Sequence, residues 1–323
     1  MISLRRINLV LLAVASIVLF VMLRHIDWNA LMRSLLQVGR NWPLLILPYG
    51  VTCYFWTLSW RVLLVSAQGR PAMHRLFFLR LAGDSLNQLT PTASLGGEPF
   101  KALRLHAGGV PWQEATASLV IQKALMAIGL VLYVLVCLAL IPIALPGMSR
   151  SLALFSCLGT LLLAAGGVLF VVLQRKGPCV GFLRLLRRLG ICPAAFSAKE
   201  PELASLDSYL SGFYRDHPGP MLIALLFFFL GWLIHAVEVY LIFRLLGHPI
   251  GLDVALCLDA LSQLLAGLGF MIPASLGVQD GGNILLSLGF DLGATLGAGF
   301  SILRRFREAF WLLLGLLVVA REK

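Results

Sequence analysis

The sequence predicts an all-α integral membrane protein with about six transmembrane helices and two re-entrant broken-helix hairpins, arranged as an inverted-topology repeat. Hydrophobic residues make up 59% of the 323 residues and charged residues only 13%, and the mean hydropathy is +0.90. Several stretches reach the roughly 20 apolar residues that span a bilayer. These values exclude a soluble domain, and the short connections between stretches indicate a single integral domain over residues 1–323.

A short sequence motif occurs twice, and each copy interrupts an apolar segment. The first copy runs from Asp84 to Glu98 and reads Asp-Ser-Leu-Asn-Gln, then Pro-Thr-Ala-Ser-Leu-Gly. The second runs from Asp259 to Asp280 and reads Asp-Ala-Leu-Ser-Gln, then Pro-Ala-Ser-Leu-Gly. One short matching stretch can arise by chance in a chain this apolar, but two matching stretches in the same order favour duplication. Broken membrane segments at corresponding places in two halves are typical of a transporter's substrate site.

Hydropathy gives the elements in chain order. The predicted spans lie at about residues 7–23, 43–67, 115–141, 151–173, 220–246 and 294–320. No small-x-small cleavage site follows the first of these, so we interpret it as an uncleaved span. Residues 28–40 are amphipathic and predict an interfacial helix. Segments 81–97 and 254–280 are broken by Pro and Gly and are predicted to be re-entrant.

The distribution of basic residues predicts the orientation. Residues 174–218 form the largest basic loop, and the positive-inside rule places it in the cytoplasm. Basic residues 70–80 and 98–114 then also become cytoplasmic, so segment 81–97 enters and leaves from that side. Both termini are predicted to be cytoplasmic, and segment 254–280 opens to the outside.

This orientation gives the duplication a structural meaning. Repeat 1, about residues 43–141, and repeat 2, about residues 220–320, would cross the membrane in opposite directions. In such folds the substrate site lies near the midplane between the repeats. The net charge of +11 is explained by topology signals and contact with anionic headgroups, and we expect no nucleic-acid partner.

Four charged residues in the last span are the densest candidate site. They are Arg304, Arg305, Arg307 and Glu308. Arg304 and Glu308 are spaced to pair at i,i+4, and three arginines against one carboxylate leave an excess of positive charge that suits a phosphate. Charges at membrane depth cost about 2.5–3.5 kcal/mol and usually face a cavity or a partner. The alternative is that these residues lie at a wet interface.

Other spans carry isolated charges. Lys123 lies about two turns inside its span and either snorkels to the headgroups or matches Arg304 in the other repeat. His235 and Glu238 lie at i,i+3 and are candidates to pair with the last-span arginines or to relay protons.

The broken segments supply the remaining candidates. Their polar pairs at i,i+4 are Asp84 with Gln88 and Asp259 with Gln263, either as steadying groups or as cavity groups. Glu98 and Asp280 either cap a helix or bind an amine or a proton at the cavity. The breaks and possible anion-binding amides are expected at Pro91, Gly96, Gly97, Pro273, Gly277, Gly281 and Gly282.

Motifs for catalysis and metal binding are missing from the sequence. The six cysteines form no Cys-x-x-Cys pair, and there is no nucleotide phosphate loop, no His-Glu-x-x-His and no Ser-His-Asp order. We therefore expect no cofactor, no metal site and no catalytic residue.

The two copies of the repeated motif also resemble motifs of a known family. Residues 87–104 look like the first motif of the lysylphosphatidylglycerol synthase/flippase transmembrane family, and residues 273–282 look like its second. That family commonly shows Gly-Val-x-Glu-Gly in the second motif, where this chain has Asp280. The resemblance covers about residues 5–320, and the sequence is similar to the hopanoid-associated group of stand-alone members.

The resemblance implies a lipid flippase of the bacterial inner membrane that moves lipids with an anionic or glycosylated headgroup. Bifunctional members carry a cytosolic aminoacyl-transferase domain, and we expect that activity to be missing from a chain that stops at Lys323. One alternative is a lipid-headgroup or glycosyl transferase that uses Asp84, Glu98 or Asp280. Another is a scaffold that recruits lipid-biosynthesis enzymes.

Overall fold

The computed structural model is helical throughout the part of the chain that it describes. The described residues are 28–65, 70–90, 96–144, 150–175, 180–181, 188, 200–268, 272 and 275–321. They form α1 (Trp28–Val38), α2 (Pro43–Leu63), α3 (Met73–Leu89), α4 (Glu98–Ala107), α5 (Trp112–Ala144), α6 (Arg150–Arg175), α7 (Glu200–Asp216), α8 (Pro218–Leu245), α9 (Leu252–Leu268), α10 (Val278–Gly289) and α11 (Ala294–Arg321). No strand occurs among them, which confirms the all-α class; the predicted first span at 7–23 lies outside this part.

Two of the described helices are long and apolar enough to cross a membrane. They are residues Trp112–Ile141 of α5, with a mean hydropathy of 2.9, and α8, with a mean hydropathy of 2.2. Helices also occupy the predicted spans at 43–67, 151–173 and 294–320. These helices are consistent with the predicted class of an all-α membrane protein.

Both predicted breaks fall between helices. α3 ends at Leu89 and α4 begins at Glu98, while α9 ends at Leu268 and α10 begins at Val278. Pro91 and Pro273 lie outside the described residues. The backbone on both sides of each break is helical, as the sequence indicates for interrupted helices.

Most of the basic stretch at 70–80, which the charge pattern places on the cytoplasmic side, belongs to a helix. α3 already begins at Met73, and Arg80 is only 1% exposed. Its Nη1 donates to the Trp56 carbonyl at 3.1 Å, and its Nε lies 3.3 Å from Asp84 Oδ2. Asp84 stands one turn further along the same helix, so the pair stays together when α3 is buried.

The amphipathic helix α1 lies against the end of the bundle. Leu31 is buried in a cluster with Ile284 and Ala298, whereas Met32 and Leu36 are 56% and 71% exposed. One side therefore packs on α10 and α11, and the other presents apolar side chains outward, as expected of a helix at the membrane interface.

The predicted basic loop at 174–218 contains a helix over its last third. α7 buries Leu210, Phe213 and Tyr214 in the main hydrophobic core. This part of the loop is therefore a packed element.

The helices before each break pack against the last helix of the other predicted repeat. Ser85 of α3 donates to the Leu312 carbonyl of α11 at 3.2 Å. Tyr133 of α5 donates to Asp259 of α9 at 3.0 Å. α2 and α8 pack along each other at the centre, where the Trp56 indole donates to the Phe228 carbonyl at 3.3 Å.

Gly315 is the residue that lets α3 and α11 approach so closely. A Cβ atom there would lie 2.1 Å from Ser85 Oγ and 2.5 Å from the Leu81 carbonyl oxygen. We expect Gly315→Ala to lower the stability by about 1–3 kcal/mol, because a methyl group has no space in this contact. Thermal unfolding in detergent micelles measures the loss.

Gly159→Ala is the matched control, since Gly159 is a mid-helix glycine of α6 whose Cβ would meet nothing within 4 Å. That variant should be as stable as the parent or slightly more stable, because Ala exceeds Gly in helix propensity by about 1 kcal/mol. An unchanged unfolding temperature for Gly315→Ala would contradict the close contact.

Candidate functional site

A cavity of about 350 Å³ lies where the two broken segments approach each other. Its walls come from α2, α3, α5, α8, α9 and α11 and from the start of α10. The lining residues are Tyr49, Trp56, Asn87, Gln88, Thr90, Met126, Trp232, His235, Gln263, Ala266, Gly267, Ile272, Ser275, Gln279, Arg304, Arg307 and Glu308. The volume is in the range of small-ligand sites, and much of the lining is polar although the surrounding helices are apolar.

Asp259 is the centre of the most deeply buried charge cluster. The side chain is fully buried in α9 and accepts from Arg304 Nη2 and from the Tyr133 hydroxyl at 3.0 Å. Gln263, one turn later, donates to the same carboxylate at 3.3 Å, so the predicted i,i+4 pair forms. His235 Nδ1 accepts from Arg304 at 3.3 Å.

Arg304 is held from two further directions. Its Nη1 donates to Ser262 Oγ at 2.9 Å, and Ser262 donates to Asn283 at 2.6 Å. The side chain of Arg304 is 2% exposed, and that of Arg307 is 4% exposed. These values exclude the alternative that the two arginines lie at a wet interface.

Arg307 pairs with the second charged residue of α8. Its Nε and Nη2 both lie 2.9 Å from Glu238 Oε1, and the Glu238 side chain is 1% exposed. The guanidinium stands 4.3 Å from the centre of the Tyr49 ring. The predicted pairing of His235 and Glu238 with last-span arginines is thus present.

Arg305 links α11 to the start of α10. Its Nε and Nη2 each donate to Asp280 at 2.9 Å, and its Nη1 donates to Glu308 at 2.7 Å. Asp280 also accepts from the Gly277 amide at 2.9 Å, which caps α10. Glu308 therefore pairs with Arg305 at i,i+3, and the predicted pair with Arg304 is wrong because Asp259 occupies that arginine.

The excess positive charge predicted for the last span is also wrong. Sequence spacing counts only Glu308 against three arginines, but the fold brings Asp259, Asp280 and Glu238 to the same guanidiniums. Four carboxylates thus face three arginines, so the cluster carries no excess of positive charge.

Repeat 1 carries a second buried network around Glu98. Lys101 Nζ lies 2.9 Å from Glu98 and 3.0 Å from Asp84, and the Lys101 side chain is fully buried. Lys123 Nζ lies 3.2 Å from Glu98 Oε1, which also accepts from Asn87 at 3.0 Å. Lys123 therefore has a carboxylate partner on the neighbouring helix α4, which favours a cavity or structural role over snorkelling.

The two networks share one spacing along the chain. Glu98 pairs with Lys123, and Asp280 pairs with Arg305; each pair joins the first turn of the helix after a break to a residue 25 positions later. Arg305 therefore shares the spacing of Lys123, whereas Lys123 was predicted from the sequence to match Arg304. The residues ten positions after Lys123 and Arg305 are Tyr133 and Gly315. Tyr133 contacts the Leu256 carbonyl of α9, and Gly315 faces the Leu81 carbonyl of α3, so both lie against the helix before a break.

Two of the amides predicted to bind an anion are already used. The Gly97 amide donates to Asn87 Oδ1 at 2.7 Å, and the Gly281 amide donates to the Gly277 carbonyl at 2.9 Å. A Cβ on Gly97 would lie 1.9 Å from the Gly83 carbonyl oxygen, so this glycine serves close packing of α3 against α4.

A second, larger cavity of about 470 Å³ lies between α4 and α5, beside the Glu98–Lys123 pair. The rest of its lining is mostly apolar, with Trp112 and Leu119 among the contacts. It offers few groups to orient a polar ligand, so the smaller cavity is the better candidate for headgroup binding.

Several residues of the site were not predicted from sequence. Tyr49, Trp56, Trp232 and Gln279 line the cavity but have neither the charge nor the repeated position that marked the other candidates. Lys101 was not among the predicted candidates either, although its spacing of three residues from Glu98 indicates a pair on one helix face. Within the described residues, no group of three or more His, Cys, Asp or Glu side chains is placed to hold a metal ion.

Comparison with known proteins identifies the family. The model of the lysylphosphatidylglycerol synthase TM region matches residues 8–315. The chain belongs to this family. The match extends over both broken segments and both charge networks, and it marks a membrane protein involved in lipid handling. No curated protein and no solved structure gave a significant match.

Removing the central carboxylate tests the pairing in the Asp259 cluster. Asp259→Asn leaves the Arg304 guanidinium buried without a counter-charge, and we expect a loss of about 3–5 kcal/mol in stability. Thermal unfolding in micelles measures it, and adding Arg304→Gln should restore part of the loss because no unpaired charge then remains.

Asp216→Asn serves as the control, because its pair with Arg215 has side chains that are 53% and 79% exposed and such pairs contribute little. If Asp259→Asn and Asp216→Asn unfold at the same temperature, the buried pair does not support the fold.

Proposed function

We propose that this protein moves a polar lipid between the leaflets of the bacterial inner membrane, with the headgroup passing through the central cavity and the acyl chains remaining in lipid. The lipid is a phospholipid, a glycolipid or a related polar lipid, and the hopanoid-associated subgroup stays a prediction. The observation that carries the proposal is the polar cavity lined by residues flanking both broken segments. Membership of a lipid-handling family supports it.

An inverted repeat is the arrangement that best explains the shared spacings. α2 to α5 would form repeat 1, and α8 to α11 would form repeat 2. The ion pairs 25 residues apart and the crosswise packing of α3 on α11 and α9 on α5 support this assignment. Two such halves, inserted in opposite directions, have two equivalent packings that expose the same cavity to opposite sides.

The location of the ion pairs supports motion between the halves. Asp84, Glu98, Lys101 and Lys123 pair among themselves in repeat 1, and the arginines of α11 pair with carboxylates of repeat 2. The contacts described above between the halves include no ion pair: they are hydrogen bonds, one of them from Tyr133 to the Asp259 carboxylate, and the contact of Arg307 with the Tyr49 ring. Breaking a buried ion pair costs about 3–5 kcal/mol, so rocking along an interface without ion pairs avoids that cost.

The carboxylates favour transport over headgroup transfer. Asp84 is held by Lys101 and Arg80, Glu98 by Lys101 and Lys123, and Asp280 by Arg305 and the Gly277 amide. A carboxylate held by cations in this way is a weak nucleophile and a weak base. We therefore assign no reaction to the site.

Filling the cavity tests the proposal. Gly267 lines it, and a Cβ there would meet nothing within 4 Å, so Gly267→Trp adds bulk to the cavity without displacing the backbone. We expect lipid translocation to stop. The measurement is reconstitution in liposomes with a panel of headgroup-labelled lipids, followed by headgroup accessibility from each side over time.

The matched control is Gly159→Trp on the exposed face of α6, which should translocate lipid at the parental rate. Equal translocation by both variants would show that the headgroup does not use this cavity. Failure of the parent protein to move any lipid in the panel would end the transport proposal.

A further inference from the structure

We propose that the headgroup entering the central cavity is uncharged and hydroxylated, as a sugar or a polyol is. This inference rests on the transport function proposed above and names the class of headgroup. The basis for it is the set of groups on the cavity wall that are still able to bind a headgroup.

The arginines on the wall have little capacity left for an anion. Arg304 is bound to Asp259 and Ser262, and its remaining Nε is buried away from the cavity. Arg307 gives Nε and Nη2 to Glu238. A phosphate would have to compete with the carboxylates that already hold these guanidiniums, and like charge at short range in a low-dielectric site opposes its binding.

The cavity wall does not favour a cationic ammonium headgroup either. Glu308, the carboxylate among the lining residues, lies 2.7 Å from Arg305, and Arg304 and Arg307 would repel a cation at the same wall. The aromatic rings that attract cations already have partners. Arg307 lies over Tyr49, and Arg80 lies 5.4 Å from the centre of Trp56.

The other two rings on the wall, His235 and Trp232, also pack within the protein. His235 stacks with Trp56 at 6.0 Å, and Trp232 stacks with Tyr133 at 6.2 Å. The wall therefore offers apolar ring edges beside polar groups rather than an open cage for an ammonium.

Two side-chain amides keep their binding capacity. Gln279 is 7% exposed and Gln88 is half-buried, and both line the cavity. Within the described part of the chain, neither side chain makes a hydrogen bond, so both amides can bond to a ligand. They approach the cavity from opposite broken segments, Gln88 near the end of α3 and Gln279 at the start of α10.

An amide both donates and accepts, and so does a hydroxyl group. A headgroup with several hydroxyls satisfies both glutamines at once and adds no charge to the cluster. Its C–H faces can rest on the apolar ring edges. A sugar or polyol meets these requirements together.

The test uses the full chain in phosphatidylcholine nanodiscs containing one of three dioleoyl lipids: a monoglucosyl diacylglycerol, a phosphatidic acid or a trimethylammonium lipid. A ligand that binds the folded state raises the unfolding temperature with its concentration. We expect the glucosyl lipid to raise it and the two charged lipids to leave it unchanged. Stronger stabilisation by either charged lipid, or none by the glucosyl lipid, would overturn the inference.

Variants locate the binding. Gln279→Leu and Gln88→Leu should each weaken the apparent affinity for the glucosyl lipid roughly threefold to tenfold, as expected for one lost neutral hydrogen bond. Gln113→Leu, at an exposed glutamine of α5, should not change it. Equal affinities in all three variants would place the headgroup elsewhere.

Translocation of the same three lipids in liposomes separates the two proposals. If the glucosyl lipid binds but is not moved, transport is wrong and the headgroup assignment stands. If phosphatidic acid is moved and the glucosyl lipid is not, the assignment is wrong and transport stands.

Discussion

The ion pair between Arg304 and Asp259 joins two helices of the same predicted repeat, and the rest of the arrangement depends on this kind of pairing. A charge removed from water inside a bilayer needs a partner, and separating a buried pair costs about 3–5 kcal/mol. The networks around Glu98 and around the α11 arginines each meet this requirement locally. The surface between α2 and α8 is formed by neutral contacts such as the hydrogen bond from Trp56 to the Phe228 carbonyl. Such contacts cost less free energy to exchange than a buried ion pair does.

Local pairing also determines what the cavity can bind. Each arginine on its wall already has a carboxylate, so the positive charges shape and orient the site without supplying an anion-binding surface. The amides of Gln88 and Gln279 are then the polar groups with capacity to spare. In the proposed function, charge accordingly holds the broken helices in place, and neutral hydrogen bonding selects the headgroup.

The sequence predicted the helical membrane class, the two breaks and most charged positions of the site, because apolar length, Pro and Gly, and intramembrane charge are local signals. Partners were harder to predict. Asp259 reaches Arg304 across 45 positions and Glu238 reaches Arg307 across 69, and spacing on one helix cannot show such contacts. Arg80 was counted with the basic topology signal at 70–80, whereas the fold buries it beside Asp84. Trp56, Trp232 and Gln279 line the cavity through packing alone, so no local pattern marked them.

The most direct test of the account is the orientation of the two repeats. Ala107 at the end of α4 and Asp291 just after α10 are exposed and occupy matching places after the two breaks. Single cysteines there, in a background without the native cysteines, can be labelled with a membrane-impermeant thiol reagent in intact cells and in inverted vesicles. The account predicts that Ala107→Cys reacts from the cytoplasmic side and Asp291→Cys from the opposite side. Labelling of both positions from the same side would contradict the inverted repeat and the alternating exposure of one cavity that depends on it.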